Sequence, residues 1–172
     1  MKRLFYFSLS IVLLSSCGRL GTFNVDHSID VVIPSQFGIN LPFNVNSPEI
    51  ETNAEATFES EGTSTKRISS IQMSELKISI VNPSSADFDF LNEIEIFIKA
   101  PGLDEKRVAY KQNIPETSLK SFFCDIDEEN LKDYISKENF SLRVRTITDQ
   151  VVFQDIQVRI DQNYKVRAKI RK

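Results

Sequence analysis

The stretch Leu91–Ala100, LNEIEIFIKA, decides the fold class, because its apolar and polar side chains alternate almost without interruption. One face carries three isoleucines and the other carries mainly charged groups: Ile94, Ile96 and Ile98 against Glu93, Glu95, Phe97 and Lys99. A strand that buries one face and exposes the other has this period of two. The Pro101-Gly102 pair that follows favours a turn. The stretch therefore predicts a half-buried β-strand.

The same period recurs along most of the chain, with turn-forming residues between the segments. The predicted strands are residues 23–33, 37–45, 67–81, 91–100, 107–112, 119–126, 140–148, 151–160 and 164–170. The acidic segment 49–61 is interpreted as a loop with one short strand around 56–58. About nine short strands separated by turns are typical of an antiparallel β-sandwich, either Ig-like or jelly-roll.

One short α-helix is predicted near residues 127–137. Asp127 is a good N-cap, and Glu128 and Glu129 suit the first turn of a helix. Apolar residues follow at helical spacing: Leu131, Tyr134 and Ile135. The expected fold is therefore an all-β sandwich with this single helix.

The composition limits the chemistry that the chain can perform. Its 172 residues are 41% hydrophobic and 26% charged, which excludes collagen-like, disulfide-scaffold and wholly disordered chains. One His, two Cys and no Trp leave few groups for nucleophilic or metal chemistry, and no nucleophile-elbow, phosphate-loop, zinc-ligand or dinucleotide pattern occurs. We therefore expect no enzymatic activity, no cofactor and no bound metal. A pair of carboxylates assembled in space stays open, because sequence spacing does not reveal it.

The N-terminus has the three regions of a signal peptide. Lys2 and Arg3 form a positive region, and the eleven residues Leu4–Leu14 form an apolar one. A membrane-spanning helix needs roughly 20 apolar residues, so this run is too short to span. Small residues, Ser15-Ser16, then precede Cys17.

The tetrapeptide Leu14-Ser15-Ser16-Cys17 resembles the lipobox of bacterial lipoproteins. The resemblance implies cleavage before Cys17 and lipidation of Cys17 on its thiol and its new amino group. Several acyl chains, at about 0.8 kcal/mol per buried CH₂, make a stable anchor. The expected organisation is a signal peptide at 1–16, a lipidated tether at 17–22 and a single domain at 23–172. An ordinary or membrane-retained signal with an unrelated Cys is the alternative.

The mature chain is expected to be acidic and to lie in the envelope. Removing Lys2 and Arg3 from the 21 basic residues leaves 19 against 24 acidic ones, a net charge of −5. This charge argues against nucleic acid as a partner. Gly18 and Arg19 lack the acidic run that some bacterial lipoproteins use for surface export, which favours the periplasmic face of the outer membrane over the cell surface.

Cys124 is the second cysteine, and lipidation of Cys17 would leave it alone. Its apolar neighbours Phe122, Phe123 and Ile126 predict burial on a strand. A catalytic pair of Cys124 with His27, the single histidine of the chain, is the alternative.

Two groups of charged residues are candidate binding sites. The first is acidic, and could hold Ca²⁺ or cap the predicted helix: Asp125, Asp127, Glu128 and Glu129. Its spacing fails the EF-hand pattern, since no glycine follows and Ser136 stands at position twelve, so capping is favoured. A second acidic pair, Asp87 and Asp89, is explained by a solvated face.

The second group is the basic face of the last strand, formed by Lys165, Arg167, Lys169, Arg171 and Lys172. Three more arginines could extend it: Arg143, Arg145 and Arg159. Such a face could contact lipid headgroups, polyanionic glycans or an acidic partner. It is also explained by a solvated strand whose charges deter edge pairing.

Leu76–Pro83, LKISIVNP, followed by Phe88 and the strand Ile94–Ile98, resembles the strand–Asn-Pro–strand element of type 2 late-embryogenesis-abundant domains. Those domains are small β-sandwiches that also occur on bacterial lipoproteins. The resemblance implies a sandwich and carries over no functional residue. Residues 23–67 have no counterpart in the compact form of that domain.

The function that these features favour is a lipid-anchored envelope protein, a non-enzymatic binding or assembly module with an envelope protein as its partner. The alternative is a carbohydrate-binding or glycan-active β-sandwich, which needs two carboxylates about 5–10 Å apart or an exposed aromatic platform. A third hypothesis, a structural component that accepts a partner strand, needs a long uncovered sheet edge.

Overall fold

The computed structural model describes residues 21–35 and 38–169, which form two antiparallel β-sheets packed face to face. The strands are β1 Thr22–Ile33, β2 Pro42–Asn46, β3 Ile50–Glu51, β4 Ile68–Asn82, β5 Leu91–Lys99, β6 Lys106–Gln112, β7 Ser121–Phe123, β8 Asp125–Ile126, β9 Asn139–Thr148 and β10 Ile156–Ala168. One sheet has the order β1-β10-β4-β7, and the other has the order β2-β9-β5-β6-β8 with β3 beside β9. The predicted all-β sandwich is confirmed. The signal segment, Cys17, Arg171 and Lys172 lie outside the described residues.

Strand β10 is an interior strand of the first sheet, since it pairs with β1 on one side and β4 on the other. The sequence predicted two strands here, at 151–160 and 164–170, and that division is wrong. Polar residues at the middle of β10 break the apolar pattern, but the pairing with β1 continues through them without a register shift. Asp161 accepts a hydrogen bond from the Ser28 hydroxyl at 2.7 Å, and Asn163 donates one to Asp26 on the same neighbouring strand.

The core lies between the sheets and is built by the alternation that the sequence shows. Ile94, Ile96 and Ile98 point inward from β5, and each is at most 1% exposed. Inward-facing residues of β10, such as Ile160 and Tyr164, meet them from the other sheet and are also fully buried. Burial of this kind removes apolar surface from water at about 25 cal/mol per Å² and stabilises the sandwich.

Segment 49–61 is not a loop with a short strand at 56–58, as the sequence predicted; most of it is helix α1, Ala54–Ser60. Ala54 and Phe58, four residues apart, form its buried face. The Phe58 ring packs edge-on against Phe23 of β1 with 6.0 Å between ring centroids. A 3-10 turn at Thr65–Arg67 then leads into β4.

The predicted helix at 127–137 is reduced to one turn, α2, Lys132–Ile135. Asp127 does not cap a helix, because its carboxylate binds Arg107 of β6 at 2.8 Å. The Leu131 amide donates to the Ile71 carbonyl at 2.7 Å, which ties this segment to β4. Strands β6 and β4 thus bind the Asp127 carboxylate and the Leu131 amide, which would cap or extend a longer helix.

The sandwich has two ends that are named here by the course of β1. The proximal end is where β1 begins and β10 ends, with Thr22 opposite Arg167. The distal end is where β1 ends and β10 begins, with Ile33 opposite Ile156. None of the helices in the described part of the chain is long and apolar enough to cross a membrane.

Candidate functional site

Exposed apolar side chains are concentrated at the distal end. Among the described residues, six large apolar side chains are exposed, and five of them lie at that end. We call these five the distal apolar tip: Val32, Ile39, Leu41, Val81 and Phe153. Leu41 is 65% exposed and Phe153 is 83% exposed. The sixth, Phe123, lies in β7, paired with Lys77 part-way along β4.

Hydrogen bonds between loops hold the distal end together. The Ser35 amide donates to the Asp155 carboxylate at 2.8 Å, which joins the loop after β1 to the loop before β10. The Asn40 amide donates to the Thr148 carbonyl at 2.7 Å, which joins the segment before β2 to the end of β9. These two hydrogen bonds hold in place the segments that carry Val32 and Phe153, and Ile39 and Leu41.

A depression of about 230 Å³ lies beside Phe153. Its apolar walls come from the loop after β4 and the loop before β10: Ala86, Phe90, Val151, Val152 and Ile156. Several exposed apolar side chains at one end of a domain indicate an interaction site, because single scattered apolar residues are common on surfaces and clusters are not. The distal apolar tip is the strongest candidate site in the described part of the chain.

The sequence analysis missed this site, because it assigned Ile39, Leu41 and Phe153 to strands. A signal was present at two of the positions. Leu41 directly precedes Pro42, and Phe153 is followed by Gln154 and Asp155. Apolar residues beside a proline or beside polar residues that interrupt the strand pattern are candidates for exposure in a loop.

Cys124 is buried, as its neighbours predicted, but it lies between two strands. It joins β7 of the first sheet to β8 of the second, and its amide donates to the Leu76 carbonyl at 3.0 Å. Burial raises the pKa of the Cys124 thiol to about 12. The thiol is therefore protonated at neutral pH, which is the unreactive form.

His27 and Cys124 are not brought together. They stand in one row across the first sheet, in which His27 pairs with Gln162, Gln162 pairs with Leu76, and Leu76 bonds to Cys124. Three inter-strand steps of about 4.8 Å place the two residues roughly 14 Å apart. The structure thus does not assemble the nucleophile–base pair that the sequence left open.

His27 instead faces the core, where it contacts two aromatic rings. Its ring centroid lies 5.6 Å from that of Phe140 and 6.0 Å from that of Tyr164, both edge-on. Its Nε2 is buried and has no hydrogen-bond partner among the described residues. This burial lowers the pKa of His27, and the nearby Asp26 carboxylate opposes the shift more weakly.

The His27 environment predicts a pH-dependent stability. Below the ordinary histidine pKa of about 6.5, the unfolded chain binds a proton that the folded chain resists. Stability is therefore complete above pH 6.5 and falls as the pH drops from there through the lowered pKa of folded His27. We expect the thermal midpoint to fall between pH 7.5 and 5.5, and to fall less in His27→Gln. Equal falls in both proteins, measured by circular dichroism, would contradict this assignment.

Three of the four acidic residues before α2 pair with strand β6, and Glu128 is exposed. Asp127 binds Arg107 at 2.8 Å, Glu129 binds Lys106 at 2.8 Å, and Asp125 binds Lys111 at 3.3 Å. No group of three or more metal-ligating side chains with room for an ion occurs in residues 21–35 and 38–169. The cluster is an ion-pair network on the outer face of the second sheet.

The second acidic pair, Asp87 and Asp89, organises a loop. Asp87 accepts a hydrogen bond from the Asp89 amide at 3.2 Å, and Asp89 accepts one from the Ser118 amide at 2.7 Å. Both carboxylates therefore bind backbone, where the sequence predicted only a solvated face.

The structure divides the basic residues into two sets. Arg159 pairs with Asp30 at 2.8 Å, Arg145 pairs with Glu95 at 2.7 Å, and Arg143 pairs with Glu105. These three arginines do not extend the basic face of β10. By contrast, Lys165, Arg167 and Lys169 are exposed and form no ion pair with another described residue.

Comparisons with known proteins return no family for this chain. No family model matches it, and no curated protein matches it. Among solved structures, a chain of desmodium yellow mottle tymovirus is 9% identical, with 100% of this chain and 95% of that chain covered, at a TM-score of 0.29. At this level of similarity the likeness carries no argument about function.

Proposed function

We propose that this protein is a lipid-anchored protein of the outer membrane, facing the periplasm, that binds an envelope protein through the distal apolar tip. It acts as a binding or assembly module without catalysis. The observation that carries the proposal is the concentration of exposed apolar side chains at one end of the sandwich. An acyl anchor at Cys17 places that end away from the lipid.

The geometry of β1 supports this arrangement. The strand begins at Thr22, five residues after Cys17, and runs for 12 residues to the distal end. At about 3.3 Å per residue, β1 separates the tether from the tip by roughly 40 Å. The tip is thus presented to proteins beyond the membrane surface.

Phe153 is expected to contribute most of the binding energy at the interface. Aromatic residues that leave water on binding dominate interface energetics, and their truncation commonly costs 2 kcal/mol or more. The depression beside Phe153 offers apolar walls for a partner side chain. Leu41, also largely exposed, adds a second apolar contact at the same end.

A photoreactive amino acid at Gln154, next to Phe153, tests this proposal in the native envelope. We expect one discrete protein adduct, competed by added purified wild-type protein. The double variant Phe153→Asp/Leu41→Asp should lower the adduct yield at least tenfold, because it places two charges in the apolar contact.

Two controls make this result specific to the tip. Phe123→Asp changes an exposed phenylalanine outside the tip and should leave the adduct unchanged. The same photoreactive group at Glu61, an exposed position at the proximal end, should not give that adduct. An adduct that survives Phe153→Asp/Leu41→Asp would refute the proposed binding surface.

A further inference from the structure

A second surface of the domain is strongly basic and adjoins the tether. Five exposed side chains form what we call the proximal basic patch: Lys66, Arg67, Lys165, Arg167 and Lys169. The Lys169 amide donates to the Arg67 carbonyl at 2.7 Å, which places the end of β10 beside the turn before β4. The Ala168 amide donates to the Gly21 carbonyl at 2.7 Å. The patch therefore borders the first described residue after Cys17.

The charges of this patch have no ion-pair partner among residues 21–35 and 38–169. Of the six arginines in the described part of the chain, four form ion pairs, and the two that do not are Arg67 and Arg167. Arg167 donates to the neutral amide oxygen of Gln72 at 2.7 Å. The three lysines of the patch likewise form no ion pair with any described residue. The two arginines of the patch thus differ from the four elsewhere on the sandwich, each of which has a carboxylate partner.

Acidic residues flank the patch without entering it. On β1, Thr22 and Asn24 stand opposite Arg167 and Lys165, so the immediate strand neighbours are neutral. The acidic positions further along the sheet, Asp26 and Glu75, are both level with Asn163. Helix α1 and the residue that follows it carry three more exposed acids at the proximal end: Glu55, Glu59 and Glu61. The patch is thus a local concentration of positive charge in a chain that is acidic overall.

We propose that the proximal basic patch docks the domain onto the anionic lipid headgroups of the membrane that holds its anchor. The inference rests on the Cys17 anchor of the proposed function. Four residue steps from Cys17 to Gly21 reach at most about 14 Å, at 3.3–3.6 Å per step. The Debye length at physiological salt is about 8 Å, so a patch tethered this closely feels the surface charge.

Docking in this way gives the tethered domain a defined orientation. Each Lys or Arg near an anionic surface strengthens its attraction about fivefold. A domain held at its proximal end points the distal apolar tip away from the lipid, as a protein-binding surface requires. The patch thus orients the domain on the membrane, and the lipid headgroups are what it binds.

A fluorophore beside the patch tests the contact directly. The full chain carrying Asn24→Cys, an exposed position opposite Lys165, is purified, labelled and reconstituted into vesicles. The vesicles contain headgroup-nitroxide quencher and either phosphatidylcholine alone or phosphatidylcholine with phosphatidylglycerol. We expect strong quenching in the anionic vesicles only, reversed by 1 M salt, where the Debye length is about 3 Å.

A matched pair of triple variants decides whether the patch causes the contact. Lys165→Gln/Arg167→Gln/Lys169→Gln should reduce quenching in the anionic vesicles to the level in neutral ones, since three charges account for roughly 100-fold in attraction. Three lysines away from the proximal end provide the control with the same change in net charge: Lys77→Gln, Lys111→Gln and Lys120→Gln. That control should quench like the parent protein.

The outcomes separate the patch from the anchor. Equal quenching in neutral and anionic vesicles, or equal loss in the two triple variants, overturns the docking surface, and an acidic protein or glycan would then be its occupant. Failure of the parent protein to float with neutral vesicles refutes the anchor alone. In that case, flotation of the parent protein with anionic vesicles at low salt supports docking through the patch. Failure to float with those vesicles overturns the docking.

Discussion

Cys17→Ser is expected to move this protein from the membrane fraction to the soluble fraction. The substitution removes the thiol to which the lipobox resemblance assigns acylation, and the apolar run before it is too short to span a bilayer. Several acyl chains at about 0.8 kcal/mol per buried CH₂ hold a protein on a membrane far more firmly than residual surface contacts. Flotation and the intact mass of the mature chain measure the loss of the anchor.

Cys124→Ser is the matched control for this experiment. The Cys124 thiol is buried in the sandwich, so its replacement should leave membrane attachment intact. The wild-type mass should show a chain that begins at Cys17 with acyl groups attached. Membrane binding of Cys17→Ser with wild-type tightness would refute the anchor.

Ile160→Ala is expected to destabilise the folded domain by about 2–5 kcal/mol, the usual range for truncating a buried isoleucine. Ile160 is 0% exposed and stands between Ile29 of β1 and Ile78 of β4. Removal of its side chain leaves a cavity between the two sheets. Urea unfolding, followed by circular dichroism, measures the change in the free energy of unfolding.

Arg159→Ala supplies the comparison, because Arg159 is the preceding residue on the opposite face of β10. It forms an exposed ion pair with Asp30, and exposed ion pairs contribute little to stability because water and salt screen them. The two neighbours should therefore differ severalfold in their effect on stability. Equal losses would mean that the inner and outer faces of β10 have been assigned incorrectly.

The contrast between Ile160 and Arg159 shows why the fold class was predictable. Alternation along a strand is a local property, and it survives in any sandwich that buries one face of each sheet. The strand at Leu91–Ala100 is found as β5 almost residue for residue. The charged row of its outer face is also as predicted.

The local helix and strand boundaries were less predictable. Asp127 has the side chain of an N-cap, yet it binds Arg107, which is 20 residues away in sequence. Segment 49–61 lacked a strong apolar pattern, yet Phe58 found a partner in Phe23 and the segment folded as α1. In both places a partner distant in sequence outweighed the local propensity.

The sequence by itself determined the alternation that builds the two sheets, and it contains the tetrapeptide whose resemblance to a lipobox carries the proposed anchor. Both are patterns within a few neighbouring residues. Only the tertiary structure decided which charged side chains of the described residues form ion pairs and which apolar side chains remain exposed. Arg145 and Arg167 look alike in sequence, but only Arg145 meets a carboxylate. Phe88 and Phe153 also look alike in sequence, but Phe88 is buried and Phe153 is exposed. Their exposure depends on which distant segments fold against each side chain.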